Sequence, residues 1–397
     1  MDTKFTYRTK GGPLRRPPRR RRTPWIIWVL LALALIVAVV FVIVKLTSRE
    51  AEEEGAPEPS PPASLESPDP AAVPPSDPTA EPTASPAAPS QITPDSAPED
   101  KGSYMTVGGS AYEYYQFDLE TTNSYITAVS EAGTALNGIA SLYHLVVPTG
   151  MDIELPDSYL VQNNVNSSDQ RKAIDRYIYP SVNAMNASVK TIPLFDALLQ
   201  HCNEYVYFRT DRTWTQLGAY YAYREFCQAK GFQPVSLDQL EKKSYEGFLG
   251  GFSEGEEDYS LISDTVDAYL PGGTTSLSFT DSNGESFEGW NVISDGEGYS
   301  NSLLYLIFAA GDQPYKVLEN SDLTDNSACL VVQDSFGNFF IPFLTQHYQH
   351  VYVVDYQLYS GSVPQLAQEK GASDVIILNS IISTSSASGV ESLKGLF

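Results

Sequence analysis

Cysteine and histidine are scarce in this chain. Three cysteines among 397 residues exclude a disulfide-stapled scaffold. A Cys202–Cys227 bridge is compatible with an oxidising compartment, and separate buried thiols are the other arrangement. Cys329 lies in an apolar run. Four histidines (His144, His201, His347 and His350) and no Cys-x-x-Cys or Cys/His pair at zinc spacing leave no basis for a metal centre, and no cofactor is expected. Positive charge is also short, with 25 Lys or Arg against 49 Asp or Glu and a net charge of -24. A surface of that sign repels nucleic acid and anionic polymers. It suits neutral or cationic partners.

The charge is unevenly distributed. Residues 1–24 hold nine Lys or Arg and one Asp, a net of +8, so the rest of the chain carries -32. After this basic tail comes the one long hydrophobic run, Trp25 to Val44, with no charged residue. At about 1.5 Å per helical residue it spans ~30 Å, the thickness of a bilayer's hydrocarbon core. Trp25 and Trp28 stand at one end, where interfacial aromatics belong, and Arg15, Arg16 and Arg19 to Arg22 precede it. The pattern predicts an uncleaved transmembrane helix over 25–46 with a cytoplasmic N-terminus and everything after it outside the cell membrane.

Residues 47–102 read as a disordered spacer. Residues 50–102 hold 14 of the 27 prolines among Ala, Ser, Thr, Glu and Asp, a mixture that cannot build a core. Aromatics return at Tyr104, Tyr112, Tyr114 and Tyr115, which places the start of the folded domain near 103. Within 103–397, short apolar segments read as buried strands: Leu142 to Val147, Tyr205 to Phe208, Cys329 to Val332, His350 to Val354 and Val375 to Leu378. Helical patterns cover Ser124 to Ile139, Ser168 to Tyr179 with Asn166, Ser167 or Ser168 as N-cap, and Thr215 to Lys230, which Gly231 stops. Alternating strands and helices predict an α/β domain with a mainly parallel sheet flanked by helices. Asn283-Gly284 marks a peripheral β-hairpin across Ser276 to Ile293. The stripe Tyr220, Tyr221, Tyr223 and Phe226 reads as core packing, and the run Glu254 to Asp258 as a solvated acidic turn without calcium-loop spacing.

Two segments carry chemistry. Asp334-Ser335 follows an apolar strand and opens a helix. A serine at the carboxyl end of a parallel strand presents its Oγ where α/β sheets bind ligands, beside helix N–H groups that stabilise an oxyanion. An ordinary helix cap uses the same residue types. The second segment runs from Tyr205 to Tyr223, with Asp211 between a predicted strand and a helix.

Together these segments resemble the DHHW family of exported bacterial proteins, which is similar to the alginate O-acetyltransferase proteins with a permuted SGNH-hydrolase fold. The Asp-His-His-Trp block of the family appears here as Asp211-Arg212-Thr213-Trp214, followed by Thr215-Gln-Leu-Gly218-Ala219. The serine block resembles Val332-Gln-Asp334-Ser335-Phe-Gly-Asn338, continuing to Leu344. Val147-Pro148-Thr149, Gly311-Asp312-Gln-Pro314, His347-Tyr348 and Val353-Val354-Asp355 match in kind. The resemblance implies Ser335 as nucleophile, Asp211 as the acid, and Asp334 beside them, with Asn338, Trp214 and Arg212 as candidate substrate-binding residues. The position of the base is Thr213, and Arg212 replaces the other histidine. Gln357 stands where the family tends to carry an arginine. A threonine hydroxyl does not accept a proton near pH 7 and an arginine stays protonated.

The resulting expectation is a membrane-anchored, extracellular SGNH-like domain that is catalytically degenerate and serves as a glycan-binding or accessory module, its partner a cell-envelope polysaccharide or an envelope acyltransferase. The rival expectation is an active O-acyltransferase or esterase of envelope polysaccharide, using Ser335 with Asp211 and a base from elsewhere, His144 or His201.

Overall fold

The computed structural model describes residues 90–253 and 260–397. The basic tail 1–24, the expected transmembrane helix 25–46, the spacer up to residue 89 and the acidic run Glu254 to Asp258 lie outside the described residues. Among the described residues no helix is long and apolar enough to cross a membrane.

The described chain begins with a small antiparallel sheet of β1 (Glu99–Asp100), β2 (Tyr104–Val107) and β3 (Ser110–Glu113), followed by α1 (Leu119–Ala135), β4 (Ser141–Val147) and the short β5 (Lys190–Thr191). Helix α2 (Gln216–Lys230) precedes an antiparallel ribbon of β6 (Glu241–Phe248) and β7 (Asp264–Leu270) and a hairpin of β8 (Thr275–Thr280) and β9 (Ser286–Trp290). The last third alternates: β10 (Tyr315–Asn320), β11 (Ala328–Gln333), α3 (Gly337–Leu344), β12 (His350–Asp355), α4 (Val363–Lys370), β13 (Asp374–Ser380) and α5 (Ala387–Lys394). Eight strands form one sheet in the order β5-β4-β13-β11-β12-β10-β8-β9. From β5 to β12 every pairing is parallel, and β10, β8 and β9 add antiparallel.

The central strands are parallel and covered on both faces, which is why they read as unbroken apolar runs. Every residue of β11 and β13 is buried. Alternate side chains divide between two cores. Leu145, Val331, Ile376 and Leu378 pack with Phe226 of α2 and Phe340 of α3. Leu142, Leu330, Val375 and Ile377 pack with Ile126 of α1, Leu366 of α4 and Leu393 of α5. The expected α/β sheet with flanking helices is therefore present. The hairpin at Asn283-Gly284 forms too, with Gly284 at φ +83°. It is less peripheral than expected, because β8 pairs with β10 and the hairpin prolongs the central sheet.

Local expectations differ from the structure in several places. Tyr205 to Phe208 is not a strand: the Val206 carbonyl takes the Thr215 N–H, Tyr207 meets Trp214 only through an isolated bridge, and the N–H groups of Arg209 and Thr210 go to the Asp264 side chain. Local turns and a carboxylate thus satisfy this backbone instead of a neighbouring strand. Helix α1 starts at Leu119, earlier than Ser124, because the Asp118 carboxylate caps the Thr121 N–H. The helix expected from Ser168 is capped by Asp169, which accepts from Lys172 N; it widens into a π-helical turn over Lys172–Ile178 and runs on to Met185. Ser167 and Ser168 instead accept the N–H groups of Tyr115 and Phe117. Ordered contacts also begin before residue 103. Gln91 donates to the carbonyls of Asp152, Ile153 and Leu155, and β1 pairs with β2.

Helix α2 forms as expected. Thr215 caps its first turn by accepting from Gly218 N, Gly231 ends it at φ +84°, and Tyr220, Tyr221, Tyr223 and Phe226 are buried. Gly218 has a separate role. A methyl group there would strike the Val206 carbonyl and crowd Trp214 Cβ at 3.0 Å. Alanine favours a helix interior over glycine, yet Gly218→Ala is expected to destabilise the domain by about 2 kcal/mol through overpacking. Urea unfolding checks this, and an unchanged or raised midpoint would refute the close approach.

Candidate functional site

The site lies at the carboxyl ends of β11, β12 and β13. Ser335 follows β11 in the turn that leads into α3, as expected for a serine at a parallel strand end. Its Oγ donates to Asp312 Oδ2 at 2.9 Å. Asp312 reaches that position through an unusual backbone: Ala309, Ala310 and Gly311 have φ of +48°, +60° and +65°. Left-handed alanines are strained by ~1 kcal/mol or more each and persist where the surroundings enforce them.

Below the serine lies a buried polar network. Asn338 Nδ2 donates to Asp312 Oδ1 at 2.6 Å, and Asn338 Oδ1 accepts from Lys316 Nζ at 2.5 Å and Gln333 Nε2 at 2.8 Å. Lys316 Nζ also donates to the Gly311 carbonyl at 2.8 Å. Lys316 is fully buried, and burial pushes its pKa down to about 8 while Asp312 and Asp355 oppose that shift. The lysine pins both the strained loop and the asparagine that orients Asp312.

Two further carboxylates hold hydroxyls. Asp211 Oδ1 accepts from Thr213 Oγ1 at 2.8 Å and Thr213 N at 3.0 Å, and its Oδ2 from Gly251 N at 2.9 Å. Asp334 Oδ2 accepts from Ser383 Oγ at 2.9 Å and Ser380 N at 2.8 Å, and its Oδ1 from Phe336 N at 3.2 Å. Burial raises the Asp334 pKa to about 6. Asp211, Arg212, Thr213, Asp312, Asp334 and Ser335 line one cavity of about 480 Å³ together with Glu113, Gly251, Gln357 and Ser383.

The two blocks recognised in the sequence therefore meet in space. Two candidates sit elsewhere than expected. Trp214 is fully buried and donates its indole N–H to the Phe336 carbonyl at 2.9 Å, and Asn338 is fully buried beneath Ser335. Neither lines the cavity. The helix N–H groups expected to face an oxyanion are engaged as well: Phe336 N with Asp334 Oδ1, Gly337 N with the Asp334 carbonyl and Asn338 N with the Ser335 carbonyl.

No histidine lines the cavity. His144 is buried in the sheet with Nε2 at 2.6 Å from Tyr125 Oη, and burial holds its pKa near 3. His201 pairs with Glu204 at 2.7 Å and stacks on Tyr221. His347 meets Tyr223 Oη at 2.6 Å, and His350 stacks on Tyr352. The expected rescue by His144 or His201 is thereby corrected. All three cysteines are free and buried, so Cys202 and Cys227 are not joined. Among the described residues no group of His, Cys, Asp or Glu has the arrangement of a metal site.

Asp312 lies in Gly311-Asp312-Gln-Pro314, a segment that matches the family in kind and carries no sequence mark of a role at the site beyond a glycine followed by an acid in a turn. Ser383 had none beyond a serine-rich run.

The family model described as DHHW protein matches residues 81–354. The chain belongs to the DHHW family. Its fold is similar to that of a DHHW family protein from Eubacterium siraeum, at 23% identity and a TM-score of 0.64, over 74% of this chain and 96% of that one. It is also similar to PatB1 of Bacillus cereus, at 19% identity and a TM-score of 0.57, over 72% of this chain and 98% of that one; PatB1 has in addition been solved with a sulfonyl adduct. No curated protein matches the sequence.

Buried acids give this DHHW domain a characteristic pH response. Burial raises Asp152 and Asp355 to about 7 and Glu154 to about 8. An acid whose pKa is higher in the folded than in the unfolded chain binds its proton preferentially when folded, so its contribution is present at low pH and lost as pH rises through the folded value. The melting temperature is expected to rise as pH falls from 8 to 6.5; above pH 8 Lys316, whose pKa burial lowers to about 8, opposes the trend. Below that window His144, held neutral by burial, opposes the trend. Calorimetry across the window tests this, with Glu154→Gln flattening the slope; a melting temperature that falls over the same interval would contradict it.

Proposed function

We propose that this DHHW family member is a membrane-anchored, extracytoplasmic SGNH-like domain of the bacterial cell envelope that binds a glycan in the Ser335 cavity without turning it over. The basic tail, the apolar run Trp25 to Val44 within the expected helix 25–46 and the proline-rich spacer support the anchoring. One observation carries the loss of catalysis: Thr213, at the base position of the family block, donates its hydroxyl proton to Asp211, and no histidine lines the cavity. Serine is a weak nucleophile without a base, and loss of the base from a serine triad costs about 10⁶ in turnover.

Asp312 contacts Ser335, but carboxylates are weaker bases than imidazole by about two pH units. Its other oxygen is already held by Asn338. The N–H groups of Phe336, Gly337 and Asn338 are engaged within the turn, so these three do not supply the electrostatic support an acyl-transfer transition state needs. The 2.9 Å contact between Ser335 and Asp312 is the observation that favours the rival, a serine-dependent O-acyltransferase or esterase with a carboxylate base.

The full-length protein in detergent, assayed with p-nitrophenyl acetate, separates the two. Wild type and Ser335→Ala are expected to show the same background rate. Thr213→His is expected to gain Ser335-dependent turnover on the order of 10²-fold, the usual contribution of a positioned general base. Wild-type turnover that Ser335→Ala abolishes would overturn the proposal in favour of the rival.

A further inference from the structure

A second cavity adjoins the Ser335 cavity. Glu113, the last residue of β3, stands in the wall of both. The second has a volume of about 580 Å³ against about 480 Å³ for the first, and each falls in the ~300–1,000 Å³ range of small-molecule sites. One side of it is the segment that continues β3. Tyr114 N donates to the Ser103 carbonyl at 3.1 Å and Tyr115 N to Ser167 Oγ at 3.1 Å. Gln116 Nε2 donates to the Asn166 carbonyl at 2.7 Å. The loop from Asn163 to Asn166 is thereby tied to the same stretch of chain that carries Glu113, and a ligand lying across Glu113 reaches both cavities.

The lining of the second cavity has its own chemistry. Gln116, Asn163, Asn164 and Asn166 bring four amides to it. Asn163 Nδ2 is bound to the Tyr159 carbonyl at 2.9 Å and Gln116 Nε2 to that of Asn166, which leaves their side-chain oxygens to accept. Asn164 and Asn166 are exposed, and their side-chain amides hold no hydrogen bond among the described residues. A free amide both donates and accepts, as each sugar hydroxyl does. Tyr114 adds apolar ring surface, its hydroxyl held by Asp100 Oδ1 at 3.2 Å. Among the described residues, two carboxylates, Asp100 and Glu113, and no lysine or arginine line this cavity. Lys101 beside it is paired with Glu99 at 2.9 Å, and Arg212 belongs to the wall of the Ser335 cavity. An acidic group brought here would lose its water, meet charges of its own sign and find no cation, which is costly.

We propose that this amide-lined cavity is a second subsite for the glycan, taking a sugar unit without an acidic group beside the unit in the Ser335 cavity, so that the protein binds a chain of units lying across Glu113. This inference rests on the glycan-binding reading above and narrows it to a chain of non-acidic sugars.

Isothermal titration of the full-length protein in detergent, at neutral pH and physiological salt, tests it with three probes: N-acetylglucosamine, its β-1,4-linked tetramer and a β-1,4-linked glucuronic acid tetramer. The neutral tetramer is expected to bind about tenfold tighter or more than the monosaccharide, the gain from one or two further hydrogen bonds, and tighter than the acidic tetramer. The double variant Asn164→Gly/Asn166→Ala is expected to lose that gain. Asn164 has φ +53°, a conformation that glycine adopts readily, so the loop keeps its shape and the melting temperature is expected to stay unchanged. The length and charge comparisons use wild type alone and decide the matter even where the variant melts early. Equal affinity for monosaccharide and neutral tetramer, an acidic tetramer that binds as tightly as the neutral one, or a folded double variant that binds the tetramer as wild type does overturns this inference and leaves glycan binding in the Ser335 cavity standing. If none of the three probes binds, the glycan-binding reading itself falls.

Discussion

The site depends on one hydrogen bond between segments 122 residues apart, from the Trp214 indole to the Phe336 carbonyl. Such a bond contributes about 1 kcal/mol net, while leaving either buried partner without the other costs ~1–3 kcal/mol. The larger effect is geometric. Trp214 belongs to the turn that carries Asp211 and Thr213, and Phe336 to the turn that carries Ser335. The indole sets the distance between the two turns, and the aromatic contact of Trp214 with Phe336, at 5.7 Å between ring centres, holds the angle. Gly218 lets the following helix approach Val206 closely enough for this joint to close.

What could be read from the sequence follows from which forces are local. The strands β4, β11, β12 and β13 were visible because burial on both faces demands unbroken apolar runs. Helix α2 was visible because its helical pattern is unbroken and a glycine stands at its end. The meeting of the Asp211 and Ser335 blocks was foreseen through the family's motifs rather than through any property of the residues alone. Tyr205 to Phe208 was misread because its backbone partners are Thr215 and the Asp264 side chain, neither of which a period-two pattern records. The ribbon of β6 and β7 went unseen for a related reason. Its half-exposed strands alternate weakly, and the pairing that stabilises them is tertiary.

Asp312 shows the limit most clearly. Its role comes from three left-handed residues before it, from Asn338 on one side and from Lys316 beneath, all brought together by β10 and the start of α3. No stretch of sequence contains that arrangement. The substitution of Thr213 for histidine was plain in the sequence. Its structural consequence was not: the Thr213 hydroxyl and its backbone N–H both donate to Asp211 Oδ1.

Lys316 gives the site a further property. The chain carries a formal charge of -24, and a field of that kind at the surface fades within about 8 Å at physiological salt. The Lys316 ammonium is enclosed with Asn338 and the Gly311 carbonyl, where counter-ions do not reach. The polarity of the network beneath Ser335 is consequently little screened by added salt, while the outer surface changes with every shift in ionic strength. Polarity beneath Ser335 and repulsion at the surface thereby become two independently tuned properties.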